Sequence, residues 1–360
     1  MLEYPMPSRV FDKVYGGKRL DRDDALELFN SDGLFGVGRA ASFVAERLHG
    51  KKVYYTRNHH INPTNLCVNR CKFCAFSRST GQEGAYAMTI DEVLAKLAAT
   101  SSPFSELHIV GGLHPDWPFS YYLDLLSAIK KQYPRVQIKA FTAVEIDHFT
   151  KLSGLGLRGT LAALKARGLD MLPGGGAEIF NADVRARLCP EKIPASRWLE
   201  IHEAAHTLGI RTNATMLYGH IETYGDRVDH LLALRELQER TGGFQAFIPL
   251  SYQPVYSADI DVTRYPSGLD DLKTIAVSRL VLDNFPHIKA YWIMLGEKIC
   301  QIALFFGATD IDGTVIEEKI AHSAGAASSG MLTKGEMINL ITKAQKEPIE
   351  RNATYEEVSV

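Results

Sequence analysis

Three of the chain's five cysteines, Cys67, Cys71 and Cys74, lie within eight residues of the 360-residue sequence. Thiols spaced this closely are typical of a site that holds a metal ion or an iron–sulfur cluster. Structural zinc takes four ligands, and the other nearby candidates are His59 and His60. An iron–sulfur cluster usually takes four cysteines, so three would leave one iron of a four-iron cluster without a protein ligand. Such an open coordination site suits chemistry better than simple electron storage.

Three glycine-containing segments carry further candidate groups: VGGLHPD at 110–116, LPGGGAEIF at 172–180 and TMLYGHIET at 215–223. Gly111 and Gly112 would let the backbone approach a ligand closely, because they have no Cβ atom. The segment at 172–180 lacks the lysine and hydroxyl of a phosphate-binding loop, so we interpret it as a flexible strand end that delivers Glu178. His114 could bind a substrate carboxylate or satisfy a turn. His220 could be a polar contact or proton carrier, since its ordinary pKa lies near neutrality, or a structural histidine.

The run HEAAH, from His202 to His206, matches the HExxH pattern of zinc proteases, with Glu203 in the place of the general base. Two histidines four residues apart share one face of a helix. We expect no metal site here, because the run lies in a predicted crossover helix outside the sheet and no third ligand is evident. His230 and His322 are weaker candidates still.

Short β-rich runs alternate with amphipathic ones along most of the chain, a pattern typical of βαβ units and a parallel sheet. Predicted strands span 59–64, 106–112, 136–143, 170–180, 211–220, 244–252, 287–295 and 309–315. Predicted helices span 89–100, 120–133, 198–209, 227–242, 269–284 and 297–307. Thr89 and Glu92 form a capping-box pattern at a helix start, and Gly209 is a stop signal after another helix.

Eight strands, each followed by a helix, predict an α/β protein with a (βα)8 TIM-type barrel; an open doubly wound sheet is the rival arrangement. We expect accessory helices in residues 1–53, the barrel in 54–330, and a C-terminal helix and tail in 331–360, forming one structural domain. Active sites of such barrels lie at the carboxyl ends of the strands. The cysteines follow the first predicted strand and the three glycine-containing segments end the second, fourth and fifth, so these groups should converge on one rim.

The overall composition favours a small-molecule ligand. The 40 Lys and Arg residues nearly balance 42 Asp and Glu residues, which gives no general reason to expect nucleic acid or an anionic membrane as partner. No signal peptide or membrane-span pattern is present, and we expect a soluble, cytoplasmic protein. Cys189 and Cys300 are distant from the other thiols, so a disulfide framework is not expected; we predict that both are buried apolar residues.

The pattern CxxxCxFC, formed by Cys67, Cys71, Phe73 and Cys74, resembles the signature of radical S-adenosylmethionine enzymes. The resemblance implies a [4Fe-4S] cluster whose fourth iron is chelated by the amino and carboxylate groups of S-adenosylmethionine. An electron from the cluster then cleaves the sulfonium to methionine and a 5′-deoxyadenosyl radical. The resemblance also implies a set of cofactor-binding residues: Phe73, Gly111, Gly112, Glu178, Leu217, Gly219, Glu222, Phe247 and Ile248. The match is partial, since Thr215 replaces the first glycine of the fifth-strand motif.

Within this superfamily the sequence most resembles the aminofutalosine synthase family of the futalosine route to menaquinone. KAFTAVEI at 139–146 and HIKAYWIML at 287–295 are more specific than the superfamily motifs. The resemblance implies addition of the adenosyl radical to the enol ether of 3-[(1-carboxyvinyl)oxy]benzoate, then rearrangement and loss of a carboxylate. The products are 6-amino-6-deoxyfutalosine and methionine, which makes the protein a transferase that consumes S-adenosylmethionine.

A dicarboxylate substrate asks for cationic or amide partners at the rim. The candidates are Asn65, Arg78, His114 and His220, with Glu178, His114 and His220 as catalytic candidates. We also expect an external one-electron donor of flavodoxin or ferredoxin type. The loop at 252–257, YQPVYS, departs from the family pattern, which has an Asn-Thr pair after the proline; this departure puts a substrate role for the loop in question.

The sequence motifs leave three other functions open. Dehypoxanthine futalosine cyclase shares the cysteine loop, GGGAEI and GHIET, whereas VGGLHPD and KAFTAVEI favour the synthase. A non-catalytic iron–sulfur electron carrier is disfavoured by the count of three cysteines. A zinc-binding structural module is the last alternative.

Overall fold

The computed structural model describes residues 7–253, 260 and 265–358. Its strands are β1 (Lys52–Thr56), β2 (Asn58–Ile61), β3 (Glu106–Ile109), β4 (Gln137–Ala140), β5 (Met171–Leu172), β6 (Arg211–Tyr218), β7 (Phe244–Ser251), β8 (His287–Ile288), β9 (Asp310–Gly313) and β10 (Glu347–Glu350). Strands β2 to β8 form one parallel sheet in chain order.

Strand β9 and the residues just after it join the two edges of this curled sheet. On one side Lys289 pairs with Asp310, and the Ala290 N–H donates to the Asp310 carbonyl at 2.8 Å. On the other side Ile316 pairs with His59, and the His60 N–H donates to the Ile316 carbonyl at 2.9 Å. The eight predicted strand regions therefore surround one barrel, which confirms the (βα)8 class over the open sheet.

Helices cover the outside of the barrel and its flanks. They are α1 (Ser8–Tyr15), α2 (Arg22–Asn30), α3 (Leu34–His49), α4 (Ile90–Ala98), α5 (Phe119–Gln132), α6 (Ala143–Ser153), α7 (Gly156–Ala166), α8 (Ala182–Leu188), α9 (Ala195–Thr207), α10 (Tyr224–Thr241), α11 (Gly268–Val281), α12 (Trp292–Ala303), α13 (Ile320–Ala324) and α14 (Lys334–Lys343). The predicted capping box is confirmed, because Thr89 and Glu92 satisfy each other's backbone N–H at the start of α4. No helix among the described residues is both long and apolar enough to cross a membrane.

A second, three-stranded sheet was not predicted. Strand β1 lies between β10 and β9, with all pairs parallel. Just after β10, the Arg351 guanidinium donates to Asp310 at 2.6 Å and to Glu106 at 3.3 Å. Asp310 and Glu106 are the first residues of β9 and β3. The C-terminal segment therefore closes the barrel at the amino ends of its strands and leaves the opposite end for the site.

Candidate active site

A cavity of about 340 Å³ enters the barrel from the carboxyl ends of the strands. Its wall is made by the cysteine loop, the glycine segments that follow β3 and β5, and inward side chains of β6 and β7. The structure brings nine of the predicted residues together here: Cys67, Cys71, Phe73, Cys74, Gly111, Gly112, Glu178, Leu217 and Ile248. Groups distant in sequence thus share one space, as the barrel topology predicts.

Backbone hydrogen bonds fasten the cysteine loop to its surroundings. The Val68 N–H donates to the Leu113 carbonyl beyond β3 at 3.0 Å, and the Lys72 N–H donates to the Leu188 carbonyl of α8 at 2.9 Å. The three cysteines are half-buried free thiols. Burial raises the pKa of the Cys71 thiol to about 12, so its thiolate requires cationic charge beside it. The loop therefore presents three fixed sulfur donors to the cavity.

The two glycines after β3 allow this loop to lie directly on the strand end. A Cβ atom at Gly112 would lie 2.1 Å from the Leu66 carbonyl oxygen, and one at Gly111 would lie 3.1 Å from the Thr64 carbonyl oxygen. Three soft thiolate donors that open onto a cavity fit a four-iron cluster with one iron free of protein ligands. Among the described residues, no three His, Cys, Asp or Glu side chains are arranged to hold a single metal ion, which agrees with thiols that each bind a different iron of a cluster.

Glu178 forms a buried ion pair with Lys192, which the sequence analysis did not identify. Both residues line the cavity, and the Lys192 Nζ atom lies 4.9 Å from the centroid of the Phe73 ring. Burial lowers the pKa of Lys192, but Cys71 and Glu178 together raise it above its ordinary value. One anion and one cation beside the thiols can bind the ammonium and carboxylate groups of an amino acid. Lys192 follows α8 in an irregular segment, and no local pattern marks it.

Glu145 is a second residue that the sequence analysis missed. It lies in the first turn of α6, where its carboxylate accepts hydrogen bonds from the Thr142 N–H at 2.7 Å and the Gly111 N–H at 3.1 Å. It also lines the cavity. Burial raises the pKa of Glu145 to about 7. The capping-box spacing of Thr142 and Glu145 would have indicated the helix start, although it gives no sign of the contact with Gly111.

Three predicted cofactor-binding residues are not among the described residues that line the cavity. Phe247 points out of the barrel and packs against Phe285 at a ring distance of 6.5 Å. Gly219, with a φ of 85°, forms the turn after β6, and its N–H donates to the Glu222 carboxylate at 2.6 Å. Glu222 also accepts a hydrogen bond from Arg227 at 2.8 Å. Gly219 and Glu222 therefore shape the turn that follows Leu217.

The two histidines predicted at the rim are buried in the turns that contain them. His114 stacks on Trp117 at 4.3 Å, and its Nδ1 atom accepts from the Asp116 and Trp117 N–H groups at 3.1 Å each. The Nε2 atom of His220 lies 3.0 Å from the Leu217 carbonyl oxygen, and its Nδ1 atom accepts from the Ile221 N–H at 2.7 Å. Neither side chain is among the described residues lining the cavity.

Asn65 and Arg78 fasten the outer side of the cysteine loop. Asn65 donates to the Gly84 carbonyl at 2.8 Å and accepts from the Tyr86 N–H at 2.8 Å. Arg78 donates to the Ala75 and Ser77 carbonyls at 2.8 Å each. Both line a shallow outer recess, separate from the main cavity.

Of the loop at 252–257, residues 252 and 253 line the cavity, and residues 254–257 lie outside the described residues. Cys189 and Cys300 are buried, as predicted. The Nε2 atom of His230 lies 2.9 Å from the Thr215 carbonyl oxygen, and the Nδ1 atom of His322 lies 2.9 Å from the Glu318 carboxylate.

The inner end of the cavity is polar, which the sequence analysis also missed. We call His60, His108, Lys139, Asn213 and Asp312 the polar floor; all five line the cavity. Parallel barrels usually fill this interior with branched apolar residues. In ELHI of β3 and QIKA of β4 the polar side chains alternate with apolar ones. This period of two was the available signal, because it places His108 and Lys139 on the face opposite the outer helices.

Comparisons with known proteins agree with this geometry. Residues 61–234 match the radical SAM superfamily, and residues 241–360 match the CofH/MqnC C-terminal region. The chain is 48% identical to aminodeoxyfutalosine synthase of Thermus thermophilus over 98% of this chain and 95% of that protein. It is 41% identical to 5-amino-6-(D-ribitylamino)uracil–L-tyrosine 4-hydroxyphenyl transferase of Methanopyrus kandleri over 90% of this chain and 89% of that protein.

Among solved structures, the crystal structure of methylornithine synthase is similar in fold. The TM-score is 0.75 at 18% identity, and the match covers 94% of this chain and 97% of that chain. At 18% identity this likeness shows the fold alone, whereas the 48% identity to the Thermus thermophilus protein over nearly the whole chain shows the family. The three-cysteine loop, the barrel that contains it and these relatives together show that the chain belongs to the radical S-adenosylmethionine enzymes.

Proposed function

We propose that this protein catalyses the aminodeoxyfutalosine synthase reaction. In that reaction the 5′-deoxyadenosyl group of S-adenosylmethionine adds to the enol ether of 3-[(1-carboxyvinyl)oxy]benzoate. Rearrangement and loss of one carboxylate give 6-amino-6-deoxyfutalosine and methionine. The observation that carries the proposal is the 48% identity to the Thermus thermophilus enzyme over 98% of this chain.

The residues around the cavity suit the two cofactors of this family. Cys67, Cys71 and Cys74 would hold three irons of a [4Fe-4S] cluster, and Glu178 with Lys192 would bind the charged groups of S-adenosylmethionine. Bound together, these groups supply the 5′-deoxyadenosyl radical after transfer of one electron.

The protein's own part is to bind, orient and enclose the reactants. Gly111 and Gly112 let the cysteine loop and the β3 end meet without steric hindrance. Leu217 and Ile248 provide an apolar wall on the side opposite the loop's own strand. Such a wall excludes water, which protects a reactive radical from side reactions. An external one-electron donor, of flavodoxin or ferredoxin type, would have to approach the outer side of the cysteine loop.

A second candidate is the 4-hydroxyphenyl transferase reaction, which the 41% identity to the Methanopyrus kandleri protein supports. As its name states, that enzyme acts on a ribitylaminouracil and tyrosine. Its identity to this chain is lower and its match shorter than those of the Thermus thermophilus synthase.

The deciding experiment is mass spectrometry of products formed by anaerobically reconstituted protein with S-adenosylmethionine and dithionite. One reaction contains the enol ether substrate, and a parallel reaction contains tyrosine with 5-amino-6-(D-ribitylamino)uracil. We expect about four irons per chain and 6-amino-6-deoxyfutalosine in the first reaction only. A joined product in the second reaction would assign the transferase function. Free 5′-deoxyadenosine without any adduct would favour the cyclase or another relative.

A further inference from the structure

Three residues of the polar floor lie in one register across adjacent strands. His60 of β2 pairs in register with His108 of β3, which in turn pairs with Lys139 of β4. The side chains of these three residues all line the cavity, as do Asn213 of β6 and Asp312 of β9. A polar layer in the centre of a barrel departs from the usual apolar filling, and such departures concentrate at functional sites.

The charges beneath this layer are already matched. Lys139 is paired with Glu106, Arg351 contacts Glu106 and Asp310, and Lys289 donates to Asp312 at 3.0 Å. Lys139 is the one cation of these three that lines the cavity. Its ammonium group has three donors, of which Glu106 takes one. A ligand can therefore accept a further hydrogen bond from Lys139 while the buried pair stays intact.

Two other floor residues have unused hydrogen-bonding capacity. His108 stacks on His60 at 4.6 Å, and its ring nitrogens have no hydrogen-bond partner within the described part of the chain. Asn213 is 2% exposed, and its buried Oδ1 atom has no hydrogen-bond partner among the described residues. Unsatisfied buried polar atoms are costly in free energy, so a ligand that hydrogen-bonds to them would gain affinity. Rotation of the amide would present its donors to an anionic ligand equally well.

The walls above the floor are largely apolar. Ile248, Leu250, Met294 and Tyr291 line the same cavity. A flat apolar ring fits between such side chains, and a carboxylate on that ring would accept hydrogen bonds from an ammonium, an imidazole and an amide. The chemical class indicated by the floor and walls together is an aromatic carboxylate.

Resting on the function proposed above, we infer that His108, Lys139 and Asn213 bind the aryl carboxylate of the substrate. The substrate has two carboxylates. The one on the enol ether neighbours the carbon that receives the adenosyl group, so it must lie close to the thiol end of the cavity. The one on the ring lies farther from that carbon and remains in the product. The floor, at the opposite end of the cavity from the rim, is in place to hold the retained group.

The test measures binding without turnover. Two unreactive ligands are compared by calorimetry on the reconstituted enzyme with S-adenosylmethionine: 3-(1-carboxyethoxy)benzoate, and 2-phenoxypropanoate, which lacks the aryl carboxylate. We expect the first to bind roughly a hundredfold more tightly, because two or three charge-assisted hydrogen bonds depend on that carboxylate.

The floor variants should remove this difference selectively. His108→Phe keeps the ring stacking and removes the nitrogens, and Asn213→Leu keeps the branched shape and removes the amide. Each should weaken the binding of 3-(1-carboxyethoxy)benzoate about tenfold and leave that of 2-phenoxypropanoate unchanged. Lys139→Gln combined with Glu106→Gln removes both partners of the buried ion pair, which avoids an unpaired buried charge. The matched control is His59→Phe, which changes a histidine on the outer face of neighbouring strand β2.

Equal binding of the two ligands by the unaltered enzyme would overturn the inference, as would variants that weaken both ligands alike. Failure of the proposed function would give a different experimental result. In that case the enzyme would form no adenosyl adduct from the enol ether, whatever the floor variants do to binding.

Discussion

The cysteine loop and helix α9 both carry residues at metal-ligand spacing, but they lie on opposite sides of the barrel wall. The loop follows β2 at the rim, and its thiols line the inner cavity. Helix α9 packs outside, where His202 and His206 approach the Thr212 hydroxyl at 2.9 and 2.8 Å. His206 also approaches the Thr241 hydroxyl at 2.7 Å. Residue spacing alone suggests metal binding in both motifs. Their positions in the barrel distinguish the candidate active site from the packing contact.

The largest effect should come from removing a thiol of the loop. We expect Cys71→Ala to lower adduct formation at least a thousandfold and to reduce bound iron, because a cluster ligand is more critical than the outer groups whose loss costs 10- to 100-fold. Far-ultraviolet circular dichroism should stay unchanged, since Cys71 is at the rim. Iron content and product are the measurements. Cys300→Ala, which removes a buried free thiol that is not among the described residues lining the cavity, is the control. An active, iron-loaded Cys71→Ala enzyme would refute a cluster role.

The next effect concerns the contact between the loop and β3. A Cβ atom at Gly112 would lie 2.1 Å from the Leu66 carbonyl oxygen, so Gly112→Ala must displace the loop. We expect about a hundredfold lower rate of adduct formation, since small misplacements of reacting groups cost this much. Gly330→Ala serves as the control, because nothing lies within 4 Å of a Cβ atom there. Unaltered kinetics in Gly112→Ala would show that the loop tolerates the shift.

These two regions also show how much of the site could be predicted from the sequence. The cysteines and glycines were identified because each acts through its own residue type and sits at a strand end. Lys192 and the polar floor were missed for a physical reason. Lys192 reaches the site only through the path of the chain after α8. His108 belongs to a polar group only because His60 and Lys139 lie beside it on adjacent strands. The alternation within each strand indicates that His108 and Lys139 face inward, but it does not show which strands pair and bring them together.

The fold divides in the same way. All eight barrel strands were predicted, since β-rich runs alternate with helical ones. Strands β1 and β10 were missed, because Lys52 pairs with Glu347 across nearly the whole chain. Helices α6 and α7 were missed as well, although Thr142 caps α6 with a capping box. The segment at 139–146 had been read as strand and motif, and only its first residues are strand.

A smaller effect is expected in the pH dependence of stability, which tests whether His206 of α9 is a buried packing residue and not a metal ligand. Burial lowers the pKa of His206 to about 4, whereas the unfolded chain titrates near 6.5. Between these values the unfolded state binds more protons, so the free energy of unfolding must fall as the pH falls. From pH 7.5 to pH 5 we expect His206 to account for about 2 kcal/mol of lost stability. In urea unfolding, the free energy of unfolding of His206→Gln should fall by about 2 kcal/mol less over this pH range than that of the unaltered protein. The same pH dependence in both proteins would contradict a buried, neutral His206.

The smallest effect is expected at Glu203, the residue that would be the general base if HEAAH were a zinc site. Its carboxylate is half-exposed and faces Arg240 at 3.5 Å on the outer surface. Exposed ion pairs of this kind contribute less than about 1 kcal/mol, so Glu203→Gln should change stability slightly and adduct formation not at all. Assays of unfolding and of product on the same preparation would check both. A large loss of activity would mean that α9 is coupled to the cavity through the barrel wall. Position in the barrel would then not be enough to distinguish HEAAH from the cysteine loop.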